Sequence, residues 1–156
     1  MIDADYMRVA IQIARDGIAA GQSPFGAVLV KDGEVVAATH NTVWRDCDPT
    51  AHAEVNCVRR AAAALRTIFL HGCTIYSTTE PCPMCLSAIH WSKIDRVVYG
   101  ASIADASAAG FCELMVAAKT LVEMGKSPLR VESGLLSTDC AALLQEWRAA
   151  GLSQPY

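Results

Sequence analysis

The sequence predicts an α/β fold, a three-layer α/β/α sandwich built around a mixed five-stranded sheet. Five short runs rich in β-branched residues alternate with segments of helical pattern, and an Asp-Gly turn joins the first two runs directly. The 156 residues suit one domain of ordinary size, and we predict that residues 1–156 form a single domain.

The first half of the chain begins with an amphipathic helix over residues 4–20, with Asp3 as its predicted N-cap. Its apolar residues recur at helical spacing: Met7, Ala10, Ile11, Ala14 and Ile18. Residues 27–41 contain two strand-like runs around Asp32-Gly33, a strong hairpin signal. Residues 51–65 follow Pro49 and are rich in Ala, which predicts a second helix.

The second half alternates strands and helices. Strands are predicted at 73–79, 96–102 and 129–136. Helices are predicted at 83–93, in the last part of 104–125, and at 138–151, where Ser137 or Thr138 is the cap. Residues 152–156 form a tail. Helices between strands favour parallel pairing with right-handed crossovers, which places helices on both faces of the sheet.

Composition restricts the classes of function. Apolar residues make up 53% and charged residues 19%, which is typical of globular proteins. A net charge of −3 argues against a polyanionic partner such as nucleic acid. The N-terminal stretch has neither the pattern of a signal peptide nor that of a membrane span, and the seven Cys are an odd number. We therefore predict a reducing compartment, the cytoplasm, where clustered Cys indicate metal binding or catalysis.

His52, Cys82 and Cys85 have the residue types of a zinc site. Cys82 and Cys85 are three residues apart at a predicted helix start, where backbone amides favour thiolates. Three protein ligands leave a position for water, as in catalytic rather than structural zinc sites. Three further residues could supply a fourth ligand, although none has tight spacing with the others: Cys57, Cys73 and His90.

Glu54 lies two residues after His52, and side chains two apart inside a helix point about 200° apart. Both can face one ion only at the first turn, and there Glu54 would act as a general acid and base. Taken alone, His52 could be a helix cap, and the Cys pair a redox couple or two buried thiols. The combination of H-x-E with P-C-x-x-C is much more specific and is the signature of zinc deaminases.

The stretches "DPTAHAEV" and "TEPCPMC" resemble the cytidine and deoxycytidylate deaminase superfamily, in the branch of bacterial guanine, cytosine and tRNA adenosine deaminases. The resemblance covers nearly the whole chain and implies a cytidine deaminase-like fold, one Zn²⁺ per chain on His52, Cys82 and Cys85, and Glu54 as proton shuttle. It also implies a homodimer around the helices that carry the site. Asn41 corresponds to an Asn that orients substrate, unless it is only a strand-end turn residue, and the Ala53 N–H helps to position the base.

Four further residues favour guanine, converted to xanthine and ammonia. Phe25 in "SPFGAV", Trp91 in "AIHWSK", Glu113 in "AAGFCEL" and the C-terminal Tyr156 are similar to positions of guanine deaminases. A carboxylate is the natural acceptor for the adjacent N–H donors of guanine. Those enzymes carry two Asp where this chain has Cys112-Glu113, so isocytosine, cytosine or aminotriazines such as ammeline also belong to the predicted range.

These assignments have alternatives. Glu113 could be a solvated helix-start acid, Trp91 a core residue, and the tail 151–156 a frayed terminus rather than a lid. The segment "LRVESGLLSTDCAALLQEW" is similar to tRNA adenosine deaminases, which would make the substrate an anticodon-loop adenosine. Residues 138–156, however, hold one basic residue, Arg148, against Asp139 and Glu146, which suits a small nucleobase better than RNA. A non-catalytic partner subunit is a further alternative, against which the presence of Glu54 argues.

Overall fold

A mixed sheet organises the computed structural model, which describes residues 1–156. Its strands are β1 Gly26–Lys31, β2 Glu34–His40, β3 Cys73–Thr79, β4 Arg96–Ala101 and β5 Arg130–Ser133. They lie in the order β2-β1-β3-β4-β5. β1 pairs antiparallel with both β2 and β3, whereas β3, β4 and β5 are parallel.

Seven helices surround the sheet: α1 Asp3–Ala19, α2 Val43–Asp46, α3 Ala53–Leu65, α4 Pro83–Trp91, α5 Ile103–Ala108, α6 Ala118–Met124 and α7 Ser137–Ala150. Asp32 and Gly33, with φ of 50° and 80°, form the turn between β1 and β2. Positive φ at both positions is the requirement of a type I′ hairpin. The Tyr6 hydroxyl donates to the Gly33 carbonyl at 2.8 Å and so joins α1 to this hairpin.

Side chains of the central strands alternate between two apolar cores, as the period of two in a strand requires. Val28 and Tyr76 face the core formed with α1 and α7, and Leu29 and Ile75 face the core formed with α3 and α4. α1 packs very close to β1 at Gly26, where an added Cβ would collide with the Ala10 carbonyl oxygen. The three layers place the starts of α3 and α4 side by side at one end of the sheet.

The predicted fold class is confirmed: the sheet is mixed, has five strands and carries helices on both faces. Parallel pairing holds for β3, β4 and β5, but β2 and β3 are not neighbours because β1 lies between them. The short helices α2 and α5 were not predicted, since four and six residues are too few to show a helical period.

Several predicted boundaries were wrong by one or more residues. Ile2, not Asp3, is the N-cap of α1, and Leu136 precedes α7, so that Ser137 is already helical. α3 starts at Ala53 rather than at residue 51, and β5 has four residues instead of the predicted eight. No helix combines the length and the hydropathy that a membrane crossing requires.

Candidate active site

Two helix starts bring the three predicted metal ligands together. His52 is the N-cap of α3, Cys82 is the N-cap of α4, and Cys85 lies in the first turn of α4. The Nδ1 atom of His52 lies 3.7 Å from Cys82 Sγ and 3.4 Å from Cys85 Sγ. His52 has extended backbone, with φ −66° and ψ 156°, which turns its imidazole toward the α4 start while Glu54 points inward from the helix.

The donor set fits a tetrahedral zinc ion. With Zn–S near 2.3 Å and Zn–N near 2.0–2.1 Å, two ligands at a tetrahedral angle are separated by about 3.6 Å. The two N···S distances lie on either side of that value, and the three ligand atoms are all within 4.8 Å of one another. The residues therefore suit zinc with three protein ligands, the arrangement of a catalytic site.

The pKa values of the two thiols shift in opposite directions. A hydrogen bond from the Cys85 thiol lowers the pKa of Cys82 to about 4 and raises that of Cys85 well above its usual range. Burial by itself would lower the pKa of His52, but the hydrogen bond with Cys82 and the charge of Glu54 outweigh it and raise the value. Cys82 is therefore a thiolate at neutral pH, the form in which cysteine binds a metal.

Glu54 is buried beside the ligands, with only 6% of its surface exposed. Burial and the nearby Cys82 thiolate raise its pKa. The Ser77 hydroxyl on β3 lies 3.0 Å from Glu54 Oε1 and 2.7 Å from the Thr79 carbonyl oxygen. Ser77 therefore holds the carboxylate against the sheet; its hydrogen bond lowers the pKa of Glu54, but burial and the Cys82 charge outweigh it.

A cavity of about 250 Å³ opens over these groups. This is below the range of about 300–1,000 Å³ typical of drug-sized ligands, and it suits a single small ring system. The lining residues come from five parts of the chain: Phe25, Pro49, His52, Glu54, Thr79, Glu80, Cys82, Pro83, Met84, Phe111, Cys112, Glu113, Leu114 and Tyr156.

Aromatic and acidic side chains form the walls of this cavity. Phe25 and Phe111 meet edge to face with ring centroids 4.8 Å apart, and Phe111 also contacts Tyr156 at 5.6 Å. Glu113 is half-buried, and burial together with the Cys82 charge raises its pKa to about 7. The structure thus places Phe25 and Glu113 at the cavity, where the predicted recognition of a base requires them.

The C-terminal tail covers the cavity of its own chain. The Tyr156 ring lies 5.9 Å from the His52 ring, and the Cys112 N–H donates to the Tyr156 carbonyl oxygen at 3.0 Å. Asn41, which is fully buried, donates from Nδ2 to the Tyr156 hydroxyl at 2.6 Å and accepts the Val43 N–H at 3.1 Å. The Asn41 side chain thus stabilises the turn before α2 through its oxygen and binds the C-terminal tail through its nitrogen.

Three predicted substrate contacts are not among the residues that line the cavity: Asn41, Ala53 and Trp91. Trp91, near the end of α4, is 75% exposed and contacts His90 and Lys93, so the alternative that it packs in the core is wrong. Ala53 is fully buried behind the site, and as the first residue of α3 its N–H has no acceptor within the helix.

The three alternative ligands stay apart from the metal centre. Cys57 is directed to the Ala37 carbonyl, Cys73 to the His71 carbonyl, and His90 contacts Ser127 at 2.7 Å. All seven Cys are free.

Sequence reasoning missed Ser77, Glu80 and Phe111, among other residues of the site. Glu80 lies inside "TEPCPMC", directly after a buried strand. An acid at such a place is rarely buried without a partner, so its position could have indicated a structural or functional role. Phe111 follows Gly110 in a stretch without clear period, and Ser77 differs in no local way from other strand hydroxyls, so only the tertiary contacts reveal them.

Comparison with known proteins agrees with this geometry. Residues 1–101 match the family model of the cytidine and deoxycytidylate deaminase zinc-binding region. A guanine deaminase of Bacillus subtilis (strain 168) is 46% identical over 107 residues, which cover 68% of this chain and 69% of that protein. A tRNA-specific adenosine deaminase of the same organism is 37% identical over 142 residues, 91% and 86% of the two chains.

Solved structures show the same likeness. A guanine deaminase from Nitrosomonas europaea superimposes with a TM-score of 0.87 at 30% identity, over 95% of this chain and 85% of that one.

Proposed function

Because this chain belongs to the zinc-binding cytidine and deoxycytidylate deaminase family and is a hydrolytic deaminase, we propose that its substrate is a free nucleobase, with guanine as the first candidate. The observation that carries the proposal is the small cavity closed by Phe25, Phe111 and Tyr156, with Glu113 in its wall. Such a cavity holds one planar ring system between aromatic faces and offers a carboxylate to its N–H donors. The products are xanthine and ammonia.

The ligand set would hold one Zn²⁺ per chain on His52, Cys82 and Cys85. When bound, zinc activates water for attack on the ring carbon that carries the amino group. Glu54 would take one proton from the attacking water and deliver it to a ring nitrogen, and would then take the proton of the newly added hydroxyl and pass it to the departing amine. Since Ser77 holds Oε1 of Glu54, Oε2 is the oxygen that exchanges protons with the substrate.

Asn41 and the Ala53 N–H complete the proposed base site. In the closed arrangement the amide of Asn41 is occupied by the Tyr156 hydroxyl. We propose that substrate entry requires the tail to move and that the base then takes this donor, with the Tyr156 ring closing over it. The Ala53 N–H, free of intrahelical bonds, would position the leaving group from the α3 side.

Deamination of adenosine in a tRNA anticodon loop is the second candidate, favoured by the B. subtilis relative that matches 91% of this chain. An RNA loop needs phosphate contacts from basic side chains. The last helix and tail hold little basic charge, and Tyr156 covers the entrance. Both features favour the free base.

The experiment that tests the proposal measures ammonia release by the zinc-loaded protein from guanine, isocytosine, ammeline, cytosine, adenine and cytidine. A tRNA adenosine-to-inosine assay runs beside it with the same preparation. We expect ammonia from guanine and no editing of tRNA. Inosine in tRNA with no turnover of free bases would overturn the proposal.

The proposal treats residues 1–156 as one catalytic domain and the protein as a cytoplasmic homodimer. Exposed apolar side chains on α4 and between α5 and α6 support an interface near the site: Met84, Trp91, Leu114, Met115 and Val116. Light scattering coupled to gel filtration would give the mass in solution, and a monomer would contradict this part of the proposal.

A further inference from the structure

A buried carboxylate, Glu80, takes no part in the chemistry described above. It lies between the end of β3 and the start of α4, two residues before the metal ligand Cys82. Only 7% of its surface is exposed, and both of its oxygens have partners. Oε2 accepts the Ile103 N–H at 3.0 Å, and Oε1 accepts the Ala118 N–H at 2.8 Å.

These two partners mark the ends of one stretch of chain. Ile103 is the first residue of α5 and Ala118 is the first residue of α6, so neither N–H has an acceptor inside its own helix. Residues 109–117 lie between the two helices and supply Phe111 and Glu113 to the cavity wall. One side chain therefore ties both flanks of this wall to the turn that carries the zinc ligands.

Other contacts hold the wall mainly at its beginning. Phe111 packs on Phe25 and Trp147, and Cys112 donates to the tail. Beyond Cys112 the backbone bonds are local, from Glu113 to Phe111 and from Val116 to Leu114. The Ala118–Glu80 bond is the next hydrogen bond that links this stretch to the rest of the molecule.

We infer that Glu80 is a positioning residue for substrate specificity: its carboxylate fixes segment 109–117 relative to the zinc ligands and so sets the distance between Glu113 and the reacting carbon. The role in specificity rests on the proposed function. The clamp itself, the two hydrogen bonds that Glu80 accepts from the starts of α5 and α6, is independent of that function.

The clamp is tested by amide hydrogen exchange on the zinc-loaded protein. In the wild type we expect the Ile103 and Ala118 amides to be protected, although first-turn amides normally exchange readily. Glu80→Gln places an amide NH₂ where one N–H acceptor was. It should speed exchange at one or both residues and across 113–117 by about tenfold or more.

Asp105→Asn is the matched control. Asp105 is an exposed carboxylate that accepts the Ser102 N–H at 2.7 Å at the start of the same helix α5, but it bridges nothing. It should leave exchange at Ala118 unchanged. Equal exchange in wild type and Glu80→Gln at both Ile103 and Ala118 would overturn the clamp, and an unprotected Ala118 in the wild type would do so without any variant.

Kinetics test the consequence for specificity. We expect Glu80→Gln to keep one zinc per chain and to change the ratio of kcat/KM for guanine over isocytosine by about tenfold, mainly through KM. Asp105→Asn should keep the ratio of the wild type, and Glu80→Asp, which retains both oxygens, should recover part of it.

A merely structural role of Glu80 would lower kcat for both substrates by one common factor at unchanged KM, and that result would overturn the inference. If the wild type released ammonia from no base, the proposed function would fail. Amide exchange would then still decide whether Glu80 is a clamp.

Discussion

At the scale of single residues, the proposed catalysis depends mainly on Glu54 and the groups that surround it. The carboxylate is buried, lies beside the Cys82 sulfur and is held by Ser77 at 3.0 Å. Burial and the neighbouring negative charge both favour its protonated form and so raise its pKa above the ordinary value.

Glu54→Gln keeps the shape of the side chain but removes the group that accepts a proton. We expect kcat to fall by about 10²–10⁴-fold, the range attributed to general acid–base catalysis. Zinc content, measured by atomic absorption, should stay at one per chain because the ligands are untouched. Normal turnover in this variant would show that the assigned mechanism is wrong.

Ser77→Ala removes the hydroxyl that holds Glu54 while leaving every proposed substrate contact in place. One hydrogen bond contributes about 0.5–1.5 kcal/mol, so we expect kcat to fall by about threefold to tenfold with little change in KM. Ser87→Ala is the control, because Ser87 on α4 is exposed and bonds only to the Pro83 carbonyl. Equal kcat values in the two variants would remove Ser77 from the proton path.

At the scale of elements, the site is formed by helix starts, loops and the C-terminal tail. The starts of α3 and α4 supply the ligands, the segment 109–117 and the residue before β1 supply the walls, and the tail supplies the cover. Helix starts suit this role because their free N–H groups and dipoles stabilise thiolates. The connections are irregular, so their contribution depends on contacts such as those of Glu80 and Asn41.

Truncation after Ser153 tests the tail as an element. It removes Gln154, Pro155 and Tyr156 but keeps Ser153, whose hydroxyl accepts the Trp147 indole N–H at 2.7 Å. We expect kcat/KM for guanine to fall by about tenfold or more, because the cover over the base is lost. Gln154→Ala, which changes an exposed residue of the same tail, should retain wild-type kinetics. A truncated enzyme as active as wild type would mean that the tail is only a terminus.

At the scale of the whole molecule, long-range polar contacts connect the first helix to the far edge of the sheet. Arg96 on β4 donates to Asp3 of α1 at 3.1 Å and to Glu132 of β5 at 2.8 Å, and the Tyr76 hydroxyl donates to Asp3 at 2.6 Å. This network joins elements that are more than 70 residues apart in the chain.

Asp3→Asn should lower the free energy of unfolding at neutral pH by about 1 kcal/mol or less, since the carboxylate is partly exposed and screened by solvent. The hydrogen bonds from Arg96 and Tyr76 lower the pKa of Asp3 below its ordinary value of 3.8 in the folded state. Its contribution is therefore fully present above that ordinary value and is lost as pH falls through the lower, folded pKa.

Urea unfolding of wild type and Asp3→Asn at pH 7, 5, 4 and 3 measures this difference. The two stabilities should converge toward the acid end. Asp16→Asn is the control, because the side chain of Asp16 accepts only from the Gln12 amide, on its own helix. A difference that grows as the pH falls would contradict the assignment.

The sequence by itself predicted the fold class, which the structure confirms, and it predicted three metal ligands and a proton carrier whose side chains the structure brings together. Periodicity, the Asp-Gly turn and the pairing of "HAE" with "PCPMC" are local patterns, and local patterns are readable without tertiary contacts. The position of β1 between β2 and β3, the exposure of Trp91, and the roles of Ser77, Glu80 and Phe111 were decided only by the tertiary structure. Each depends on atoms far apart in the chain, whose meeting follows from how the layers pack.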